Sequence, residues 1–236
     1  QVSITPQDID NGSSDNCGIQ SIALDKMTFD CSDVVVNSSN FALDFDGVDD
    51  FVQIGSPMPL SASGDFTIEA WVKPELIDSR YHGFFGVQSG LVSTRGPSMW
   101  VAPDGNLHTD VYSGSTRFAT SIPNFFTSNQ WTHVAFVKSG SDLIIYKNGE
   151  AVYSQAAAAR INIPSANFWI GKVDNYFDGD LDEVRIWNDA RTASEILVNI
   201  GVELTGSEAN LVAYYSFNQG TEDASNSGVS TLINSV

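Results

Sequence analysis

Positive charge is what this chain has least of. Eleven Lys and Arg stand against 29 Asp and Glu in 236 residues, a formal charge of −18. Nucleic acid and anionic membranes are gripped by clustered cations, so neither is expected as a partner. A salty or calcium-containing medium would screen the self-repulsion of such a body. No apolar run is long enough to span a bilayer, so membrane insertion is not expected either. Cysteine is nearly absent too: Cys17 and Cys31 are the only two, with no CxxC pair and no zinc-spaced His/Cys cluster. If oxidised, Cys17 and Cys31 would close a hairpin, worth about 3 kcal/mol in the loop-entropy model. Such a bridge points to a secreted or surface-displayed protein. Histidine is limited to His82, His108 and His133, too scattered for a proton relay. There is no Gly-rich phosphate loop before a helix, no G-x-S-x-G elbow and no H-E-x-x-H.

What is present is apolar alternation and acidic turns. With 42% hydrophobic and 11% aromatic residues, the chain can bury one large all-β core. The stretch Asn40 to Ile54, NFALDFDGVDDFVQI, alternates Phe41, Leu43 and Phe45 with Ala42, Asp44 and Asp46. It reads as one strand with a turn set into it at Gly47. Asp46, Asp49 and Asp50 crowd that turn, and carboxylates so placed repel one another unless a cation sits among them. Oxygen ligands suit a hard ion, Ca²⁺ above all. Phe177 to Trp187, FDGDLDEVRIW, repeats the pattern of a glycine between aspartates feeding a strand. The two strands are expected to meet in one sheet and share the ion.

Further strands are expected at Phe66–Lys73, Gly83–Val92, Ser98–Ala102, Leu107–Tyr112, Arg117–Ser121, Trp131–Lys138, Leu143–Lys147, Asn167–Gly171 and Leu211–Phe217. Pro103-Asp104-Gly105 and Asn148-Gly149 supply turns. One helix is expected, Thr192 to about Ile200, with Ala193, Ile196, Leu197 and Ile200 on its buried face. Residues 1–39 differ in composition, being rich in Asp, Ser, Asn and Gly. Their phrases DNGSSDNCGI and FDCSDV resemble part of an immunoglobulin-like repeat of bacterial surface proteins. They are read as a partial repeat or disulfide-stapled appendage, followed by one domain over 40–236. Gln1 reads as a trimmed or cloned boundary.

In order, DFDGVDDFVQI, DFTIEAWVKP, NQWTHVAFVKSGSDLIIYKNGE, FWIGK, FDGDLDEVRIWNDART and NLVAYYSFNQG resemble the laminin G-like, concanavalin A-like jelly rolls of secreted bacterial proteins. The resemblance implies an all-β, two-sheet antiparallel sandwich with six or seven strands per sheet and one short late helix. It also implies a structural calcium, matched by Asp46, Asp49 and Asp182. Glucanases of this fold carry an E-x-D-x-E strand, and alginate lyases carry Arg-x-Glu-Leu-Arg and Gln-Ile-His strands; none occurs here. Glu69, Glu183 and His133 lie in framework phrases, and Trp71, Trp131 and Trp187 are read as core. The expected function is non-catalytic polysaccharide binding by a module of a larger secreted or cell-surface protein. The alternative is an adhesion module with a protein partner. Sugars are held by aromatic faces with directional polar groups beside them. Tyr81, His82, Arg95, Trp100, Tyr112, Arg117 and Tyr176 are the candidate residues, with Arg80 and His108 nearby.

Overall fold

Alternating apolar residues run through nearly every strand from Phe41 onward, and the side they bury decides the architecture. The computed structural model describes residues 41–55, 58–87, 95–165, 167–219 and 231–236, and the backbone of two short strands before them. The chain divides into two units, Gln1–Asn40 and Phe41–Val236. In the first, β1 (Val2–Ser3) pairs antiparallel with β2 (Thr28–Phe29). Cys17 and Cys31, and with them the expected disulfide, lie outside the described residues.

The second unit contains β3 (Leu43–Asp46), β4 (Val52–Ile54), β5 (Phe66–Pro74), β6 (His82–Val87), β7 (Ser98–Ala102), β8 (Asn106–Ser113) and β9 (Thr116–Ile122). It continues with β10 (Thr132–Ser139), β11 (Asp142–Lys147), β12 (Glu150–Ala156), β13 (Phe168–Ile170), β14 (Asp178–Trp187), α1 (Ala193–Asn199) and β15 (Leu211–Tyr215). A seven-stranded sheet runs β12-β11-β10-β5-β14-β15, with β3 pairing the first half of β14. A six-stranded sheet runs β4-β13-β6-β7-β8-β9. Every ladder is antiparallel, and the sheets enclose one core. Ile68, Val72, Phe136 and Ile186 enter it from the first sheet; Phe85, Met99, Leu107 and Phe168 enter from the second. This is a two-sheet antiparallel jelly-roll sandwich, as the strand pattern predicts and the family resemblance implies.

The outer face of the seven-stranded sheet is covered. Thr192 caps α1 with its side chain while Glu195 reaches back, a capping box. The helix then buries Ile196 against Ala135, Val137 and Tyr146. Leu197 is exposed rather than on that face. The segment after the helix lays Leu204 on Trp187, Leu211 and Tyr214.

Asn40–Ile54 departs from the single-strand reading. Leu43–Asp46 and Val52–Ile54 belong to different sheets, so the acidic turn is the crossing between them. Alternation reports which face is buried, not which neighbour a strand pairs with. Gly47 makes the crossing possible: its φ is +73°, and an added Cβ would lie 2.9 Å from Asp178. Strand β12 was not among the expected strands, although the turn before it was: Asn148 (φ 50°) and Gly149 (φ 83°) form the left-handed pair of a type I′ hairpin.

Candidate functional site

On β8 the core takes Leu107 and Val111, so His108 and Asp110 face outward from the six-stranded sheet. Asp110 is nonetheless fully buried, because arginines close over it. Arg117 donates through Nε to both its oxygens at 3.1 Å, and Arg95 Nη1 lies 3.5 Å away. The other end of Arg95 donates to Asp174 at 2.7 Å. The Arg95 guanidinium sits 4.9 Å over the Trp100 ring, and Trp100 is 5.3 Å from His108. Tyr81 meets His108 edge-on at 5.3 Å. Burial holds the His108 imidazole below its ordinary pKa, so it stays neutral beside Arg117.

The fold therefore brings Tyr81, Arg95, Trp100 and Arg117 together, through two residues that link them, Asp110 and His108. Their exposure is unequal. Tyr81 is 43% exposed and the Arg117 side chain 49%, whereas Trp100 is 2% exposed. Trp100 is thus corrected from a stacking face to a support, since Arg95 and His108 occupy its surroundings. Tyr112 and Arg95 are buried as well, and Tyr112 donates its amide to the Arg95 carbonyl. Buried His82 lies 3.0 Å from Asp78 and 3.2 Å from the Tyr176 carbonyl, pinning a loop rather than facing a ligand. That hydrogen bond and those of Arg80 hold the Asp78 carboxyl well below the usual range, with the Arg80 amide the largest cause.

The pinned loop joins β13 to β14 and crosses β6 at Gly83, where any Cβ would strike Val173 at 2.6 Å. Beside it lies an aromatic corner of which the sequence reading named only Tyr176 as a candidate. Phe51, 43% exposed, packs edge-on to Trp169 at 4.6 Å. Lys172 places its ammonium 4.9, 5.8 and 4.2 Å from the rings of Phe51, Trp169 and Tyr176. It also donates to the Tyr176 hydroxyl at 2.8 Å. The indole N–H of Trp169 is buried without a hydrogen-bond partner. Tyr176 thus belongs to this corner more than to the Arg117 group. Trp131, read as core, is instead 41% exposed at the end of the seven-stranded sheet, with Lys73 5.9 Å from its ring.

Asp46, Asp49 and Asp50 can bring one oxygen each within 4.8 Å of the others. Asp46 Oδ1 accepts from the amides of Val48 and Asp49, and Asp50 Oδ2 from the amide of Asp46. Beside them, burial and then neighbouring carboxylates push the Asp44 carboxyl above its usual range; Asp178 is raised mainly by burial, with Asp44 and Asp46 adding. An all-oxygen donor set in a corner of surplus negative potential fits a hard divalent ion. Asp182 is not in this group. Register pairs Asp46 with Asp178, and Asp182 pairs with Trp71 further along β14. Its buried carboxylate accepts from the Glu183 amide instead, and burial, then Glu183, push it up to about 7.

The framework carboxylates lie under the covered face. Glu69 accepts from Trp187 Nε1 at 2.9 Å, and Glu183 accepts from Arg185 and from Tyr214 at 2.7 Å. His133, beside Glu69 at 3.5 Å, is pushed down to about 3 by burial and then Arg185. Neither the cavity lined by Asp44, Phe51 and Tyr215 nor the one lined by Arg160, Ile161 and Pro164 includes Glu69 or Glu183.

Comparison with known proteins agrees with this architecture. No curated protein sequence matches the chain significantly. A candidate carbohydrate-binding protein from Bacteroides ovatus aligns with a TM-score of 0.60 at 22% identity, over 78% of this chain and 53% of that one. The chain spans about half the length of that protein. Domain 4 of AbnA, an extracellular GH43 arabinanase from Geobacillus stearothermophilus solved with arabinotriose, aligns at 0.52 and 25% identity, over 66% of this chain and 75% of that one. The binding domain of Paraclostridial Mosquitocidal Protein 1 aligns at 0.52 and 17% identity, over 68% of this chain and 45% of that one. A laminin G family model matches residues 46–197, and the protein therefore belongs to the concanavalin A-like lectin/glucanases superfamily.

Proposed function

We propose that the chain is a non-catalytic polysaccharide-binding module of a larger secreted protein, and that it binds on the outer face of its six-stranded sheet. One observation carries the reading: exposed Phe51 and Tyr81 flank a band of ordered polar groups, Lys172, Asp174 and Arg117, on one sheet face. Aromatic rings offer faces to the C–H surfaces of sugars, while fixed donors and acceptors select hydroxyls. The arabinotriose complex of the arabinanase domain, a solved structure 25% identical to this chain, supports the reading. The carboxylates of this face, Asp110 and Asp174, both bind guanidinium groups. Hydrolysis needs a carboxyl pair free to exchange protons across a cleft. The ion expected among Asp46, Asp49 and Asp50 is Ca²⁺; held there, it would brace the turn that delivers Phe51.

Affinity electrophoresis against plant and algal polysaccharides tests the reading. At least one should retard the chain, and Phe51→Ala or Tyr81→Ala should cost ~1–3 kcal/mol of affinity, by analogy with stacking on nucleobases. No retardation by any polysaccharide, or retardation untouched by both substitutions, overturns it. A protein partner captured by this face would then take its place.

A further inference from the structure

We infer, resting on the polysaccharide reading above, that the ligand of this face is a neutral glycan and not an acidic one. Each arginine near the face is already committed to a carboxylate beside it. Arg80 binds Asp78 at 2.8 Å, Arg95 binds Asp174 at 2.7 Å and Asp110 at 3.5 Å, and Arg117 binds Asp110 at 3.0 Å. Three guanidiniums thus meet three carboxylates, Asp78, Asp110 and Asp174, and the set sums to zero. Lys172 is the one cation of the face with no carboxylate within 4 Å among the described residues, and three rings surround it.

A polyanion would find little to hold. One unpaired ammonium would have to overcome the field of a chain carrying −18. Handing Arg117 or Arg95 to a uronate or sulfate would strip partners from Asp110, which is fully buried. An uncompensated buried charge is the costly result of breaking such a pair. A neutral sugar asks for no such exchange. Paired guanidiniums and carboxylates keep spare N–H groups and lone pairs, and pairing has already fixed their positions, so less ordering remains at binding. Exposed Asp174 and half-exposed Arg117 present those groups between the rings of Phe51 and Tyr81. The three arginines work as pre-set hydrogen-bond donors rather than as an anion grip.

Salt separates the two ligand classes. The full chain is titrated calorimetrically with neutral polysaccharides (arabinan, arabinoxylan, mixed-linkage glucan) and acidic ones (polygalacturonate, alginate, carrageenan). Each titration runs at about 10 mM and about 1 M ionic strength, where the Debye length falls from roughly 30 to roughly 3 Å. A neutral polysaccharide should bind with a Kd that moves less than about twofold across that range, and the acidic ones should give no heat. Binding confined to an acidic polysaccharide and weakened about tenfold or more by salt overturns the neutral assignment while leaving the polysaccharide reading intact. No binding to either class overturns both.

Discussion

The two sheets of the sandwich turn charged residues outward in the same rhythm, yet their outer faces have different fates. Over the seven-stranded sheet lie α1 and the chain around it. Thr67 donates to the Asp189 carbonyl at 2.9 Å, Trp71 to Ile200 at 2.8 Å and Arg185 to Asn199 at 2.8 Å. Polar side chains there serve as studs for a lid. On the six-stranded sheet the charges pair with one another, and the pairs end in half-exposed side chains. Outward direction on a strand is thus not availability. What lies above decides whether a charge is framework or binding surface.

The largest test of that contrast is Arg185→Ala, which leaves Glu69 and Glu183 buried beside an empty guanidinium site. Removing one partner of a buried pair costs about 3–5 kcal/mol. Urea titration should show the loss, and a shift under about 1 kcal/mol would mean the covered face is not held by its ions. Calcium should come next, acting at the crossing between the two sheets. If Ca²⁺ binds Asp46, Asp49 and Asp50, thousandfold excess over Kd adds ~4 kcal/mol, and EDTA should remove it. An unchanged melting midpoint in EDTA would leave the acidic corner without its ion.

Asp182 gives a pH-dependent test. Its folded pKa of about 7 exceeds its ordinary 3.8, so the native state holds the proton more tightly than the unfolded chain. Stability from this group is therefore lost as pH rises from about 4 to about 7. Asp182→Asn should flatten that slope, gaining roughly 2–4 kcal/mol at pH 8 and little at pH 4. Equal effects at both pH values would refute the assignment. The smallest effect belongs to the open face: Tyr81→Ala should shift stability by no more than about 0.5 kcal/mol while weakening sugar binding. A large destabilisation would make Tyr81 framework and erase the contrast.

Much of the covered face was legible in the sequence. TIEAW alternates cleanly, LDEVRIW does so on either side of a bulge at Asp182–Glu183, and Thr192 with Glu195 announces the helix start. The open face was harder to read. Trp100 looked like a binding aromatic because it stands outside the framework phrases, but the residues that bury it, Arg95 and His108, are brought to it by strand order and a loop. Phe51 looked like framework because it sits in the acidic-turn phrase. Its exposure follows from the chain changing sheets at Gly47, which period-2 alternation cannot reveal. Lys172 in its loop and Asp110 on its strand gave no signal, since a lone charge looks the same in sequence paired or free. Asp182 was assigned to the ion by the family resemblance, whereas the β3–β14 register sets Asp178 opposite Asp46.

Strand β14 lends one edge to two partners in turn, β15 over Val184–Trp187 and β3 over Asp178–Leu181. Because both run antiparallel to it, Tyr215 leaves the edge next to where Leu43 joins it. The two behave as one strand cut in the middle, and the Phe41 amide bonds Asn218 across the cut at 2.7 Å. Mechanical tension applied between those two points would load only these short edge ladders. They would peel away first, while β5, β10 and the rest of β14 still carried no force.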